Sequence, residues 1–385
     1  MATIDVNGRP VPYRIDGPSS GPLLVLLNSL GWTMDMWDGQ VPSFSRHFRV
    51  LRSEHRGHGG APAPDGPYSV ADLGADVIGL LDALDEPRVS IVGLSLGGMV
   101  AMWVAAHASD RVERLVLSCT AARLGPPESW SDRAAVVRAG GIGQLADQLV
   151  SRWFTADTLE RQPELRERVA AMLADVDPEG YAGCCEAISA MDQRDDLVRI
   201  EAPTLVLAGA ADAVTPASMA LELHSGVVGS AMVVLPGASH LANIDRSGPF
   251  AAAVLAHLVD QPVDVGERIR REVLGDAHVD AAQAKTSDFT TPFQDLITRY
   301  AWGDIWNRPG LDRTTRSYIT IAMLVALGRF DELPLHVRGA LRLGLTPEQI
   351  GEVLLQAAVY CGVPAANSAF AVAQRVLAEE RPPDS

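Results

Sequence analysis

The chain has no apolar stretch long enough to cross a bilayer, which takes about 20 residues. Its N-terminal MATIDVNGRP also lacks the basic segment and following apolar run of a secretory leader. Both absences point to a cytoplasmic protein with no membrane partner. Cysteine is scarce: Cys119, Cys184, Cys185 and Cys361 are irregularly spaced, with no Cys-x-x-Cys pair and no zinc-ligand pattern. They read as reduced core residues, and no metal site is expected. Positive charge is in deficit, with 32 Lys and Arg against 48 Asp and Glu and a net charge of −16. That balance disfavours nucleic acid as a partner. It also repels an anionic small substrate at long range, so a site for one needs local arginines.

Apolar residues are plentiful, 47% of 385, and that length exceeds what one core usually serves, so two domains are expected. The organising stretch is Val89-Ser90-Ile91-Val92-Gly93-Leu94-Ser95-Leu96-Gly97-Gly98-Met99. A short run rich in β-branched residues enters Gly-x-Ser-x-Gly, and a helix-forming run to His107 follows. Strand, sharp turn and helix in that order strain the backbone at Ser95, so the residues two before and two after it must be small. Gly93 and Gly97 meet that demand. The turn holds the Ser95 hydroxyl above the sheet edge, with the Leu96 N–H at the helix start facing any oxyanion formed there.

Around this elbow the pattern alternates strand and helix. A hairpin turns at Asn7-Gly8, and buried strands are expected over 22–27 and 48–51. A helix spans 69–84 and a further strand 112–117. From about 122 to 196 the alternation gives way to amphipathic helices, read as a cap over the site. Strands resume at 202–209 and 231–235, each followed by a loop, one carrying Asp212 and the other His240. A serine hydroxyl needs a base within reach and a third group to orient that base. Ser95, Asp212 and His240 stand in the chain order that an elbow of this kind uses.

On these motifs residues 1–262 resemble the α/β-hydrolases. Asn28-Ser29-Leu30-Gly31, Gly66-Pro67-Tyr68-Ser69 and the elbow are similar to the 3-oxoadipate enol-lactonases in particular. The resemblance implies that the Leu30 N–H is the second oxyanion donor beside Leu96. Trp32 and Trp153 are candidates to wall the substrate pocket. Glu54-His55-Arg56-Gly57-His58-Gly59 departs from the commoner Asp-x-Arg-Gly form, a departure expected to touch loop structure more than chemistry.

After a polar, proline-bearing junction at 260–264 the pattern turns all-helical. Asp312 can cap a helix that stops near Gly328, a helix spans 332–343, and Thr346-Pro347-Glu348-Gln349 forms a capping box for the next. Trp302-Gly303-Asp304-Ile305-Trp306, Arg308-Pro309-Gly310-Leu311, Glu332-Leu333-Pro334-Leu335-His336 and the run 352–362 resemble the 4-carboxymuconolactone decarboxylase family. Peroxidase-type relatives of that fold use two cysteines before the histidine, where this chain has Arg329 and Glu332, so thiol redox chemistry is excluded. Cofactor-free decarboxylation fits the residues: His336 is a proton donor, Glu332 one turn earlier is placed to set its tautomer or raise its pKa, and Arg316 is a candidate anion binder.

The expectation is an α/β domain over 1–262 with a helical cap, followed by an all-α domain over 263–385. The resemblance implies a fused decarboxylase and enol-lactonase of the protocatechuate branch of the 3-oxoadipate pathway. Small anionic lactones are its partners, no cofactor is needed, and a homo-oligomer is expected to form through the C-terminal domain. The alternative is a lactonase or esterase whose helical domain only assembles the protein.

Overall fold

A computed structural model describes residues 2–259 and 262–380, and the chain divides into two compact units at Val259 and Asp260. Part of the expected junction, Asp260-Gln261, lies outside the described residues. Pro262 is not linker but opens a helix, where a missing N–H costs nothing.

The first unit is built on eight strands. They are β1 (Ala2–Val6), β2 (Arg9–Asp16), β3 (Leu23–Leu27), β4 (Arg49–Ser53), β5 (Val89–Leu94), β6 (Val112–Ser118), β7 (Thr204–Gly209) and β8 (Ala231–Leu235). Their order in the sheet is β1-β2-β4-β3-β5-β6-β7-β8. The first two strands pair antiparallel with their neighbours, and every later pairing is parallel. Asn7 and Gly8 both have positive φ, the geometry that lets a two-residue hairpin follow the strand twist. Strands β3 and β5 are buried along their whole lengths, which is why β3 reads as an unbroken apolar run and β5 is apolar but for Ser90 and Gly93. The helix Val70–Ala83 starts with a reciprocal Ser69/Asp72 capping box.

Between β6 and β7 the chain leaves the sheet for a set of helices, among them Pro127–Gly140, Ala146–Trp153, Leu165–Ala174 and Pro178–Ala190. Backbone hydrogen bonds fasten this layer to loops at the strand ends: Asp177 N–H donates to Gly57 (2.9 Å) and Leu241 N–H to Trp153 (3.0 Å). The helices therefore lie over the C-terminal ends of the parallel strands, where open α/β sheets present their sites.

The second unit is all-helical: Pro262–Leu274, Asp276–Ala284, Thr291–Ile297, Arg313–Ala326, Leu333–Arg342, Pro347–Cys361 and Val363–Glu379. One core gathers Ile321, Val325, Leu333, Val337 and Leu354, and a smaller one Ile269, Val273 and Trp302. Asp312 and Thr346 cap their helices as their sequence contexts suggest. The helix at 276–284 is not apparent in the sequence pattern, and Thr298–Ile305 winds as a π-helix. Among the described residues no helix is long and apolar enough to cross a membrane.

Candidate active site

Ser95 follows β5 directly and precedes the helix Leu96–His107. Its backbone stands at φ 57°, ψ −118°, a strained conformation for a residue with a side chain. A Cβ on Gly93 would collide with the Gly97 carbonyl, and one on Gly97 with the Leu27 carbonyl. The small flanking residues are thus required by how closely the elbow backbone folds onto itself and onto β3.

The Ser95 hydroxyl donates to His240 Nε2 at 3.0 Å, and His240 Nδ1–H donates to Asp212 Oδ2 at 2.9 Å. Asp212 is further held by the N–H groups of Val214 (2.8 Å) and Thr215 (2.9 Å) on Oδ1 and by the Thr215 hydroxyl (2.7 Å) on Oδ2. Burial works against ionisation of this carboxyl, but His240 and the Thr215 donors outweigh it and hold its pKa below the usual carboxylate range. The arrangement fixes the imidazole with its proton on Nδ1 and its lone pair toward the serine, as base-assisted attack by a hydroxyl requires. Neither the Leu30 N–H nor the Leu96 N–H has a hydrogen-bond partner among the described residues.

Ser95, His240, Ser29 and Leu30 open onto a cavity of about 240 Å³ under the cap. That is smaller than the roughly 300–1,000 Å³ that suits drug-sized ligands, so the space fits a compact molecule. Trp153 lines it, as expected, but Trp32 does not. Trp32 is 3% exposed, packs its ring on Trp153 at 6.0 Å between centroids, and borders a neighbouring cavity instead. Two other cap residues missed in the sequence, Arg133 and Arg152, reach the cavity, and neither has a carboxylate partner among the described residues. Arg133 lies over the Trp130 ring at 4.6 Å. Their i,i+3 spacing marks a shared helix face, but only the docking of the cap shows that the face looks onto Ser95.

The second unit gathers its predicted residues less completely. His336 is half-buried, and its Nδ1 has no hydrogen-bond partner among the described residues. Glu332 is exposed and sits at the N-cap of Leu333–Arg342, outside the helix, because Pro334 lies in its first turn. Burial, aided by the neighbouring His278, pulls the His336 pKa below its ordinary value, and Glu332 opposes this without reversing it. Glu332 thus pushes that pKa up, as expected, but burial lowers it by more. Arg316 donates from its guanidinium to the Arg308 carbonyl at 3.0 Å, and nothing among the described contacts links it to His336. Tyr360 is 80% exposed. A cavity of about 970 Å³ is lined by His278, Leu335, Arg338 and Arg342 among others, and His336, Glu332 and Arg316 do not border it.

A parallel sheet with an elbow serine, a late histidine bonded to it and a helical cap is the architecture of the α/β-hydrolases. The alpha/beta hydrolase fold model matches residues 22–247, and the carboxymuconolactone decarboxylase family model matches 291–375. The chain belongs to the α/β-hydrolase fold family and carries, in its second unit, a domain of the carboxymuconolactone decarboxylase family. It is 39% identical over 244 residues to 3-oxoadipate enol-lactonase 2 of Acinetobacter baylyi, covering 63% of this chain and 91% of the relative. The 4-carboxymuconolactone decarboxylase of the same organism is 44% identical over 118 residues, covering 31% of this chain and 88% of the relative. Among solved structures, the enol-lactonase from Burkholderia xenovorans LB400 superposes with a TM-score of 0.66 at 42% identity, covering 67% of this chain and all of that one.

Proposed function

We propose that the chain carries two consecutive reactions: decarboxylation of 4-carboxymuconolactone in the second unit and hydrolysis of the resulting 3-oxoadipate enol-lactone in the first. The hydrolytic half rests on the hydrogen-bonded chain from Ser95 through His240 to Asp212 at the floor of a small cavity that holds two arginines without acid partners. Ser95 attacks the ring carbonyl while His240 takes its proton, and the N–H groups of Leu30 and Leu96 receive the oxyanion. The ring C–O bond then breaks, and the enolate leaves with the proton from His240. An enol leaves more readily than an alkoxide, so little protonation is needed. Water, deprotonated by His240, releases the acyl group from Ser95, and the enol tautomerises to 3-oxoadipate. Arg133 and Arg152 supply the positive charge that an anionic lactone needs in a protein of net charge −16.

In the second unit, loss of CO2 leaves an electron pair conjugated with the lactone carbonyl, and a proton must be returned to carbon. His336, half-buried and with a free ring nitrogen, is the donor in this reading, with Glu332 beside it and Arg316 as anion binder. A cytoplasmic location and assembly through the second unit accompany the reading. The latter is supported by apolar side chains left exposed there, such as Leu327, Val359 and Tyr360.

The test supplies purified protein with 4-carboxymuconolactone and follows CO2 and 3-oxoadipate together. Ser95→Ala should release CO2 and stop at the enol-lactone, and His336→Ala should release none. A wild type that opens supplied enol-lactone without ever releasing CO2 would reduce the second unit to an assembly module.

A further inference from the structure

The loop that carries the Leu30 N–H is bolted in place by the segment 54–59. In Asn28-Ser29-Leu30-Gly31, the peptide whose N–H belongs to Leu30 is flanked by two others, and each flanking peptide is gripped by an imidazole. His55 Nε2–H donates to the Asn28 carbonyl at 2.9 Å. The Gly31 N–H donates to His58 Nε2 at 3.0 Å. The chemistry of the partners fixes both rings. A carbonyl only accepts, so His55 carries its proton on Nε2. A backbone N–H only donates, so His58 presents a lone pair at Nε2, and its Nδ1–H donates to the Arg56 carbonyl at 2.8 Å. The two histidines therefore hold opposite neutral tautomers, one pulling a carbonyl and the other an N–H.

The rest of the loop is held in the same way. The Ser29 N–H meets Met36 Sδ at 3.3 Å, and the Met34 N–H meets both oxygens of Glu54 at 3.0 and 3.2 Å. The Asn28 side chain donates to the Ser53 carbonyl at 2.8 Å and accepts from Trp37 Nε1 at 3.0 Å. Within Asn28–Gly31, the unengaged N–H that borders the cavity is that of Leu30. Burial and the neighbouring His55 push the His58 pKa down to about 4, so it stays an acceptor at neutral pH.

We infer that His55 and His58 are positioning residues for hydrolysis: by clamping the peptides on either side, they hold the Leu30 N–H toward the oxyanion instead of leaving it free to flip. The inference rests on the reading of Ser95 and Leu30 given above. A donor must already point where charge develops, because reorganising it during the reaction cancels its benefit.

The test compares His58→Asn with His58→Gln in the full chain, with kcat and KM for the enol-lactone per serine counted by stoichiometric phosphonylation with a p-nitrophenyl phosphonate. Asparagine is too short to reach Gly31, whereas the glutamine amide oxygen falls near the position of Nε2. Expected are a kcat about 10–100-fold lower for His58→Asn with KM little changed, and recovery of most of that loss in His58→Gln. A wild-type kcat per titrated serine in His58→Asn, whatever its melting temperature, overturns the inference, as does a His58→Gln enzyme no better than His58→Asn. If His58→Asn does not fold, His55→Leu against His55→Gln applies the same criterion to the other clamp. Ser95→Ala runs beside them: if it still hydrolyses the lactone, the site reading itself fails, independently of the histidines.

Discussion

The two units place their apolar and polar groups differently. Among the described residues, the large exposed hydrophobic side chains of the first unit are scattered over its length and number six, from Ile15 to Val234. In the second, less than half that length, they number thirteen, and Phe289, Leu327, Val359 and Tyr360 are each more than 70% exposed. The polar groups show the reverse contrast. Asp212 has four donors, whereas His336 has an unpartnered ring nitrogen and Arg316 turns to a nearby carbonyl. A site finished within one fold can be read from one chain, while a surface this apolar marks a place where a partner would bind. The hydrolytic reading is therefore specific to the residue, and the decarboxylase reading rests on fewer contacts.

The largest effect that sharpens this contrast is at the elbow. Ser95→Ala should lower enol-lactone hydrolysis by at least about 10⁴-fold while CO2 release from 4-carboxymuconolactone proceeds at the wild-type rate. A parallel loss of both activities would mean that the units are not chemically independent. Next comes the cap: Arg133→Met should raise KM for the enol-lactone by about 10–100-fold and leave hydrolysis of an uncharged aryl ester unaffected. Equal losses on both substrates would assign Arg133 to packing of the cap on Trp130.

The pH profile probes the second unit. In the proposed reading its proton donor is the charged form of His336, and burial lowers that group's pKa from 6.5. Release of CO2 should thus be full in acid and fall as pH rises, with its midpoint below 6.5. A midpoint above that value would mean that Glu332 outweighs burial. The smallest effect on chemistry belongs to the exposed face. Val359→Glu should lower the mass found by sedimentation while kcat/KM for the enol-lactone stays within about twofold. An unchanged mass would show that this face is not an assembly surface.

How much of this was legible in the sequence differs along the chain for physical reasons. The elbow announces itself because its strain and close approach are local, so Gly93, Ser95 and Gly97 must be neighbours. Strands β3 and β5 are legible because burial on both faces favours apolar residues along nearly their whole lengths. The direction of Trp32, and the opening of Arg133 and Arg152 onto the cavity, follow from how the cap docks on the sheet, which no local pattern records. The π-helical turn at 298–305 hides for another reason: its apolar spacing barely differs from that of an α-helix over so few residues. Glu332, at the N-cap, still acts on His336 as the i,i+4 spacing suggests, and what the spacing does not record is the burial that outweighs it. The segment 54–59 looked like a matter of loop structure, and its hydrogen bonds to Asn28 and Gly31 tie that loop to the chemistry.

The backbone at Ser95 carries a last consequence. A residue held at φ 57°, ψ −118° stores about 1–3 kcal/mol that glycine would not. The strain therefore falls on the residue proposed to react, and a calmer backbone there is expected to give a sturdier but inert protein.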